Sequence, residues 1–360
     1  MTPRRILEIT SYPPPRAGWG VRVQFLKKHL EAQGHVCVVL NIGRSRVIPS
    51  PEYETVLSGL DYVRKVWRFS RRGFLVHMHV NGESPKGFVL SLLAIGINLV
   101  WGKRCVLTFH AGVDQLYFPR PKAPLLLPMY KVLFGVPRHI ICNSEPVKEK
   151  ICEYGVRPEK VSVIPAFSRQ YLEYDTVQLP PHVEEFYRRH PHVVLTYIKL
   201  RPGFYQDTLL DGFALLAARR NDVGLVMCGL SGDIDPVLQQ DLYDRIARHG
   251  LADRVCLIDD LDHHAFLTAL SRSSLYLRTP TTDGVASSVL EALSLRVPVV
   301  GSENGSRPAG VITYRANDPT DLADTVARVL DNRAEVVSHI STPDVRDTLD
   351  EEANLLLQLA

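Results

Sequence analysis

The sequence predicts an α/β fold with two domains, each built on a doubly wound parallel sheet. The first observation is the length of 360 residues, which corresponds to about two domains of ordinary size. The second is a composition typical of folded proteins, with 45% hydrophobic and 22% charged residues. The third is the pattern along the chain, where short β-type runs alternate with amphipathic or apolar helical stretches. Largely disordered, collagen-like and polytopic membrane proteins are therefore disfavoured.

The first series of alternating elements lies in the predicted N-terminal domain, residues 1–175. Its strands are short apolar runs, predicted at 5–10, 35–41, 74–79, 104–109, 138–142 and 160–164. Its helices are predicted at 21–33, 84–101, 121–134 and 144–154. The most apolar stretch, 87–101, is too short for a transmembrane span and contains polar residues, so a buried helix is predicted there.

The periodicity is lost between 165 and 190, where Pro165, Pro180 and Pro181 indicate an interdomain connection. A second series then fills the predicted C-terminal domain, residues 176–340. Its strands are predicted at 192–198, 223–228, 254–258, 274–277 and 297–301. Its helices are predicted at 206–219, 234–248, 262–271, 285–295 and 318–331. A helical pattern runs from 335 to the end, and residues 341–360 are predicted to form a C-terminal helical tail that packs on another element.

Charge is distributed unevenly along the chain. Residues 1–175 carry 25 Lys and Arg against 13 Asp and Glu, a balance of +12, whereas residues 176–360 carry 17 against 26, a balance of −9. The basic half is expected to meet an anionic partner, unless the two halves simply pair with each other. One basic cluster interleaved with aromatic residues predicts either a solvated helix face or a surface that docks on an anionic membrane. It comprises Arg64, Lys65, Arg68, Arg71 and Arg72. Nucleic acid is disfavoured as a partner, because the acidic half would repel a phosphate backbone.

Cysteine usage and the N-terminus bear on the compartment. None of the six cysteines belongs to a CxxC pair, so reduced core thiols are predicted instead of disulfides or a zinc ribbon. The sequence begins with a strand-like run and shows no signal-peptide pattern. A cytoplasmic location is therefore expected, with peripheral attachment at the inner membrane face if the basic cluster meets lipid.

The most informative segment is TTDGVASSVLEAL, residues 281–293. A helix is predicted to start at 285–287, with Ser287 or Ser288 in its first turn, Asp283 in the preceding loop and Glu291 inside the helix. The free amides of 284–287 then form an anion site at the helix N-terminus. Two flanking carboxylates suit hydroxyl groups instead of phosphate. The segment therefore predicts a ligand that has a diphosphate between hydroxyl-bearing groups.

A second candidate for phosphate binding is the loop after the first strand. Gly18 and Gly20 stand before a predicted helix, where backbone amides can approach a phosphate. The third Gly of a dinucleotide fingerprint is missing, and the second strand ends at Asn41 without an acidic residue. These features argue against a nicotinamide cofactor. A turn that needs Gly for its own geometry explains this loop equally well.

Asp283 and Glu291 have the spacing of the acidic E-x7-E signature of retaining GT-B glycosyltransferases, especially family 4, in its Asp-Gly variant. The sequence resembles that family along most of its length. The similar segments are the opening ILEITSYPPPRAGWGVRVQFLKKHLEAQGHVCVV, the strand-end motif CVLTFHAG at 105–112, IICNS at 140–144 and KVSVIP at 160–165. The resemblance implies two Rossmann-like domains that face a cleft, as in the GT-B fold. It also implies transfer of a sugar from a nucleotide-sugar without a metal or other cofactor.

The resemblance assigns roles to matched positions. Glu291 would bind the ribose hydroxyls, Asp283 the transferred sugar, and His110 would line the reacting centre. The amides of the donor site would come from Gly284, Val285, Ala286 and Ser287, and the diphosphate would also be approached by Gly18 and Gly20.

The sequence departs from the family pattern at the first strand of the second domain. Lys199 stands where the family carries Arg, and Phe204-Tyr205 replaces the usual Lys-Gly. One expected phosphate-binding cation is therefore missing, so either Arg201 substitutes for it or the donor differs. Arg296 also stands where a helix-ending Gly is usual.

Histidines of the N-terminal half offer further candidates. His77 and His79 share one face of a predicted strand, so a metal pair is conceivable, but the sequence shows no third ligand nearby and no metal is predicted. His79 and Asn81, near the carboxyl end of that strand, are candidates for the acceptor site.

The leading hypothesis is a retaining glycosyltransferase in polysaccharide, glycolipid or other glycan biosynthesis. Its partners would be a nucleotide-diphosphate sugar and a glycan or lipid-linked acceptor. A nucleotide-sugar epimerase or hydrolase on the same fold is the first alternative. A non-catalytic sugar- or nucleotide-binding subunit is the second, because of the cation lost at Phe204.

Overall fold

The computed structural model describes residues 2–13, 18–110, 112, 115–231, 234–281, 286–305 and 307–360. The chain forms two compact units, one of Met1–Gln170 with Arg346–Ala360 and one of Tyr171–Val345. Each unit contains one sheet, and all strand pairs within both sheets are parallel. The predicted α/β class with two Rossmann-like domains is therefore confirmed.

The N-terminal unit holds a seven-stranded sheet. Its strands are β1 (Arg5–Thr10), β2 (Val36–Asn41), β3 (Glu54–Thr55), β4 (Leu75–Val80), β5 (Val106–Phe109), β6 (His139–Cys142) and β7 (Val161–Val163). Their order in the sheet is β3-β2-β1-β4-β5-β6-β7. The order reverses between β1 and β4, and crevices at the carboxyl ends of strands beside such a point are the usual ligand sites of doubly wound sheets.

Five helices connect the strands of the N-terminal sheet. They are α1 (Gly18–Ala32), α2 (Gly59–Arg71), α3 (Pro85–Val100), α4 (Leu127–Gly135) and α5 (Glu145–Cys152). Local sequence explains where two of them begin, because the side chains of Ser58 and Ser84 accept hydrogen bonds from first-turn amides of α2 and α3. No described helix is long and apolar enough to cross a membrane.

The C-terminal unit repeats this plan with six strands in the order β10-β9-β8-β11-β12-β13. The strands are β8 (His192–Tyr197), β9 (Val223–Cys228), β10 (Val255–Ile258), β11 (Leu275–Arg278), β12 (Val299–Ser302) and β13 (Val311–Tyr314). The helices of this unit are α6 (Pro181–Arg189), α7 (Gln206–Arg219), α8 (Pro236–Arg248), α9 (His263–Arg272), α10 (Ser287–Ser294), α11 (Pro319–Asp331) and α12 (Arg333–His339). The strand order reverses between β8 and β11, so this sheet also has a switch point.

Two local predictions were wrong. The stretch 165–190 is not all connection, because Pro181 opens helix α6, where proline is well tolerated at a first helical position. The stretch from 335 is not one helix, because α12 ends at His339 and α13 (Thr348–Leu359) starts separately. Pro343 lies between them, and the Asp347 side chain caps α13.

Helix α13 packs in the N-terminal unit, against α1. Leu349 and Leu356 are buried in one apolar cluster with Leu26 and Leu30 of α1. The predicted tail thus has its packing surface on the first helix of the chain. All six cysteines are free, in agreement with the prediction of reduced thiols.

Candidate functional site

A row of buried polar side chains crosses the N-terminal sheet at its switch point. Glu8 of β1 lies beside His77 of β4, and His79 of β4 lies beside Thr108 of β5. Side chains that are paired or two residues apart in parallel strands share one face of the sheet. The row therefore reaches from β5 through β4 to β1, and His79 links it to His110, the residue that follows β5.

Hydrogen bonds join the row from end to end. His77 Nε2 lies 2.7 Å from Thr108 Oγ1, and His77 Nδ1 lies 3.0 Å from Glu8 Oε1. His79 Nε2 lies 2.7 Å from Glu8 Oε2, and His79 Nδ1 lies 2.8 Å from His110 Nε2. Glu8 and His77 are fully buried, and the side chain of His79 is 1% exposed.

The pKa values in this row follow from burial and from the groups' charges. Burial alone would raise the pKa of Glu8, but the charge and hydrogen bond of His77 and the hydrogen bond of His79 outweigh it and lower the pKa to about 2. Burial opposes protonation of His77, yet the adjacent Glu8 carboxylate raises its pKa. Burial, then the charge of His77, lowers the pKa of His79. Burial, then the neighbouring histidines, holds the pKa of His110 well below its usual range.

The expectation that His77 and His79 have no third ligating group nearby was wrong. Glu8 is such a group, and one ligand atom from each of the three side chains lies within 4.8 Å of the other two. Their closest approaches, 2.7 and 2.9 Å, are hydrogen-bond distances. The three side chains are therefore hydrogen-bonded to one another, and the absence of a metal stays a prediction.

The remaining candidates of the N-terminal unit lie around this row. The indole ring of Trp19 in α1 packs on His110, with ring centroids 4.8 Å apart. Asn81 follows β4 and is half-buried, and its Oδ1 accepts a hydrogen bond from the Glu83 amide. His79, the other acceptor-site candidate, is enclosed within the row. Glu8 was not among the residues predicted for the site, although a carboxylate in the middle of the apolar run of β1 was a signal in the sequence.

Gly18 and Gly20 lie in the first turn of α1. A Cβ on Gly20 would lie 2.8 Å from the carbonyl oxygen of Ser11 and 3.3 Å from Pro13 Cδ. The chain returning from β1 therefore leaves no space for a side chain at this position. The close backbone approach explains Gly20 by packing, and its predicted role at a diphosphate stays a prediction.

The acidic segment of the C-terminal unit is partly described. Helix α10 begins at Ser287, as predicted, with Ala286 at its N-cap. The side chain of Glu291 in α10 is fully buried. Asp283, Gly284 and Val285 lie outside the described residues.

Cationic side chains gather at the carboxyl ends of β8 and β11, which are neighbours in the sheet. Arg278, the last residue of β11, is 6% exposed and donates through Nη1 to the Tyr197 carbonyl at the end of β8. The ring of Phe204 lies between two guanidinium groups, with Arg201 Cζ at 5.1 Å and Arg278 Cζ at 5.5 Å from its centroid. Lys199 follows β8, and burial lowers its pKa. Arg278 was not among the residues predicted for the site, although it is a cation at the end of an otherwise apolar strand.

Two positions where the sequence departs from glycine in the family pattern that it resembles have a positive φ angle. Tyr205 has φ = 52° and Arg296 has φ = 58°, both in the left-handed region that favours glycine. The Tyr205 hydroxyl lies 3.0 Å from Thr281 Oγ1, at the start of the acidic segment. Tyr205 is therefore held in place by a side-chain contact that glycine would not make.

Two protein-family models match the chain. The model described as Glycosyltransferase Family 4 matches residues 16–167, and the model described as Glycosyl transferases group 1 matches residues 184–342. The two matches follow the two units of the structure in order and meet close to the boundary between them.

The curated relatives are distant in sequence. The lipopolysaccharide core biosynthesis mannosyltransferase LpsB of Rhizobium meliloti (strain 1021) is 26% identical over 137 residues, which are 35% of this chain and 38% of the relative. One subunit of the human phosphatidylinositol N-acetylglucosaminyltransferase is 26% identical over 174 residues, which are 47% of this chain and 33% of the relative. The chain thus matches 38% of the length of the first relative and 33% of the length of the second.

Solved structures share the fold over nearly the whole chain. Anabaena HepE in complex with UDP-glucose superposes with a TM-score of 0.74 at 16% identity, covering 98% of this chain and 99% of that one. A Listeria monocytogenes protein assigned as a UDP-N-acetylglucosamine 2-epimerase superposes with a TM-score of 0.67 at 16% identity, covering 99% and 95%. At such identities the likeness establishes the fold alone.

Proposed function

The chain belongs to the GT-B-type group 1 glycosyltransferases, and from this membership we propose that it is a retaining enzyme that moves a sugar from a nucleotide-diphosphate sugar to an acceptor hydroxyl. The observation that carries the proposal is the carboxyl edge of the C-terminal sheet. There, the buried carboxylate of Glu291 occurs in the helix that follows β11, and cations occupy the ends of β8 and β11. A carboxylate suits the hydroxyls of such a donor, and the cations suit its diphosphate.

We propose that Arg278, Arg201 and Lys199 replace the cation that Phe204 does not supply. Arg278 is the strongest of the three, because its buried guanidinium is desolvated and fixed on the Tyr197 carbonyl. The amides of Ser287 and Ser288, in the first turn of α10, would add to the binding of a diphosphate oxygen. This set of charges would stabilise the leaving diphosphate without a metal ion.

The proposed chemistry is a front-face displacement at the anomeric carbon. The bond from that carbon to the diphosphate oxygen breaks while the acceptor oxygen bonds on the same face. The leaving phosphate oxygen takes the acceptor proton, and the proposed step uses no carboxylate nucleophile. The predicted role of His110 at the reacting centre, of Asp283 at the sugar and of Gly18 and Gly20 at the diphosphate belongs to this proposal.

The acceptor is proposed to be a glycan or a lipid-linked glycan. The names of the two curated relatives support this class, since one acts in lipopolysaccharide core biosynthesis and the other on phosphatidylinositol. We place the protein in the cytoplasm, at the inner face of a membrane when it meets a lipid-linked acceptor.

The surface that would meet the membrane is the exposed face of α2. Lys65 and Arg68 are bound in ion pairs with Asp61 and Glu54, so they contribute little net charge. Arg64 and Arg71 are exposed and stand in none of the ion pairs recorded for the described residues, and Trp67 between them is 41% exposed. This interleaving of cations and an aromatic ring fits the interface of an anionic bilayer.

Membrane docking is tested with vesicles of neutral and of anionic lipid. We expect binding only to the anionic vesicles and weaker binding by the double variant Arg64→Ser, Arg71→Ser. The matched control removes the same charge from α5, in Lys148→Ser, Lys150→Ser. Equal binding to both kinds of vesicle would contradict an electrostatic docking surface.

The donor site is tested by thermal unfolding against a panel of nucleotide-sugars and nucleoside diphosphates. A ligand at about 100 times its dissociation constant stabilises the folded state by about 2.7 kcal/mol. We expect one donor to raise the melting temperature, and Glu291→Gln and Arg278→Gln to lose that shift. Glu335→Ala, which removes an exposed carboxylate of α12 in the same unit, should keep it. Unchanged shifts in both site variants would overturn the assignment of the edge.

Transfer to an acceptor separates the enzyme from its alternatives. The alternative, a nucleotide-sugar epimerase or hydrolase on the same fold, would use His110 and Asp283 as acid and base. Release of an epimer or of free sugar from the donor without acceptor would support that alternative. Tight donor binding without turnover on any acceptor would instead support a non-catalytic subunit.

A further inference from the structure

The proposed transfer reaction gives a role to His110 but none to Glu8, His77 and His79, the buried groups that are hydrogen-bonded behind it. We propose that Glu8 and His79 are positioning residues that hold His110 as its Nε2–H tautomer, so that Nδ1 is the nitrogen that accepts a hydrogen bond from a sugar hydroxyl. The tautomer is inferred from the structure alone. The hydroxyl as its partner rests on the proposed function.

Glu8 accepts hydrogen bonds from His77 and from His79. A carboxylate is only an acceptor when it is ionised, and the pKa of Glu8, lowered to about 2, keeps it ionised. His77 Nδ1 lies 3.0 Å from Glu8 Oε1 and 2.9 Å from Oε2, and His79 Nε2 lies 2.7 Å from Oε2. Both of these ring nitrogens must therefore carry a proton.

His77 and His79 differ in charge, because their pKa values shift in opposite directions. The raised pKa of His77 makes it the cation that balances Glu8, and its Nε2 donates to Thr108 Oγ1 at 2.7 Å. His79 lies beside that cation, and its lowered pKa keeps it neutral. Because its one proton is on Nε2, His79 Nδ1 is bare and accepts a hydrogen bond.

The bare Nδ1 of His79 determines which nitrogen of His110 carries a proton. His110 Nε2 lies 2.8 Å from His79 Nδ1, so His110 Nε2 must be the donor of that hydrogen bond. Burial is the largest cause of the lowered pKa of His110, and its electrostatic interactions with the neighbouring histidines and with Arg22 of α1 lower it further. His110 is therefore neutral with its proton on Nε2, and Nδ1 is left as an acceptor.

Ring packing holds this orientation. His79 and His110 lie nearly parallel, 13° apart with centroids 5.1 Å apart, and Trp19 packs on the second ring. A ring flip of His110 would break the bond to His79 and leave the bare Nδ1 of that buried residue without a donor. The row thus fixes the tautomer of His110 by a hydrogen bond to its second ring nitrogen. Histidines in metal sites are fixed by hydrogen bonds in the same way.

The tautomer is tested by NMR of the full chain labelled with ¹⁵N-histidine, with His110→Gln used to assign the His110 signals. We expect a pyrrole-type Nε2 and a pyridine-type Nδ1 in the wild type at a pH above about 6.5, the usual pKa of histidine. In Glu8→Gln the amide group can donate to His79 Nε2, which moves that proton to Nδ1 and reverses the bond to His110. The His110 signals should then average or exchange their types.

Two further variants keep the test decisive. Thr108→Val removes the partner at the other end of the row and should leave the His110 signals unchanged. If Glu8→Gln does not fold, His79→Phe removes the acceptor of the His110 hydrogen bond and should mix the two tautomers. Unchanged His110 signals in the Glu8 or His79 variant, an Nδ1–H tautomer in the wild type, or a stoichiometric metal in the purified protein would overturn the proposal.

Kinetics separates this proposal from the proposed function. Once a donor is known, we expect Glu8→Gln to lower kcat about ten-fold or more with little change of the donor KM, and Thr108→Val to retain activity. A reversed tautomer with unchanged kcat would overturn the role of Nδ1 toward the hydroxyl. Wild-type protein that shows the expected tautomer but transfers no sugar would contradict the proposed function and leave the tautomer assignment standing.

Discussion

The buried ion pair between the first and last helices of the chain offers a sharp test of how the N-terminal unit is stabilised. Arg22 of α1 and Glu352 of α13 are 330 positions apart, and Arg22 Nε lies 2.7 Å from Glu352 Oε2. The side chains are 2% and 4% exposed. In Glu352→Ala the guanidinium keeps its hydrogen bond to Thr348 Oγ1 but loses its only recorded counter-ion among the described residues.

The magnitude follows from the burial. Removing one partner of a buried pair costs about 3–5 kcal/mol, because it leaves an uncompensated charge. The unit has 170 N-terminal and 15 C-terminal residues, which corresponds to an unfolding entropy of about 0.4 kcal/mol/K. The melting temperature of this unit should therefore fall by about 8–13 °C in Glu352→Ala.

Differential scanning calorimetry measures the loss of stability in Glu352→Ala, and two further variants serve as controls. Glu351→Ala removes the neighbouring exposed carboxylate of α13 and should change the free energy of unfolding by less than about 0.5 kcal/mol. The double variant Arg22→Met, Glu352→Leu replaces the pair by apolar side chains and should recover most of the stability. A loss below about 1 kcal/mol in Glu352→Ala, or no recovery in the double variant, would refute the reasoning.

Three further predictions concern backbone strain, packing and pH. Arg296→Gly should stabilise the protein by about 0.5–1 kcal/mol in denaturant titration, because glycine adopts the positive φ of this position without steric cost; destabilisation would contradict this. Gly20→Ala should destabilise the protein by about 1–3 kcal/mol, since its Cβ would lie 2.8 Å from the Ser11 carbonyl oxygen. The variant should also show weaker donor binding in the thermal-shift assay. A neutral effect on stability would show that α1 can move away from Ser11. The stability that Glu8 contributes should be present above its usual pKa of 4.5 and be lost as the pH falls toward about 2, so Glu8→Gln should flatten the acid limb of the stability curve. For His77 the sign is opposite, since its raised pKa contributes stability that is present below 6.5 and is lost as the pH rises through the folded-state value.

Strands and most helices were predictable because their signals are local. The predicted strands at 5–10 and 223–228 coincide with β1 and β9, and the helix at 206–219 coincides with α7. Their apolar runs and flanking turn residues lie within one short window of sequence. The two strands that were missed, β3 and β13, are short and lie at the edges of their sheets, where half-exposed side chains blur the apolar pattern.

The candidate site was predictable in part. The start of α10 and the place of Glu291 followed from the helix signals around Ser287, and His110 followed from the strand before it. The neighbours of these residues did not follow, because Glu8 meets His79 from 71 positions away. Arg278 reaches the Tyr197 carbonyl from 81 positions away, and no spacing rule relates such pairs.

By itself, the sequence determined the class of the fold, its two domains and the position of the acidic segment, since these depend on periodicity and on turn chemistry along the chain. Only the tertiary structure decided which polar groups meet. The parallel register of β1, β4 and β5 turns a single glutamate and three histidines into one hydrogen-bonded row. It also decided where the last helix packs, on α1 by way of Arg22 and Glu352. Burial makes both contacts strong, because a polar group removed from water must find its partner within the fold, wherever in the chain that partner lies.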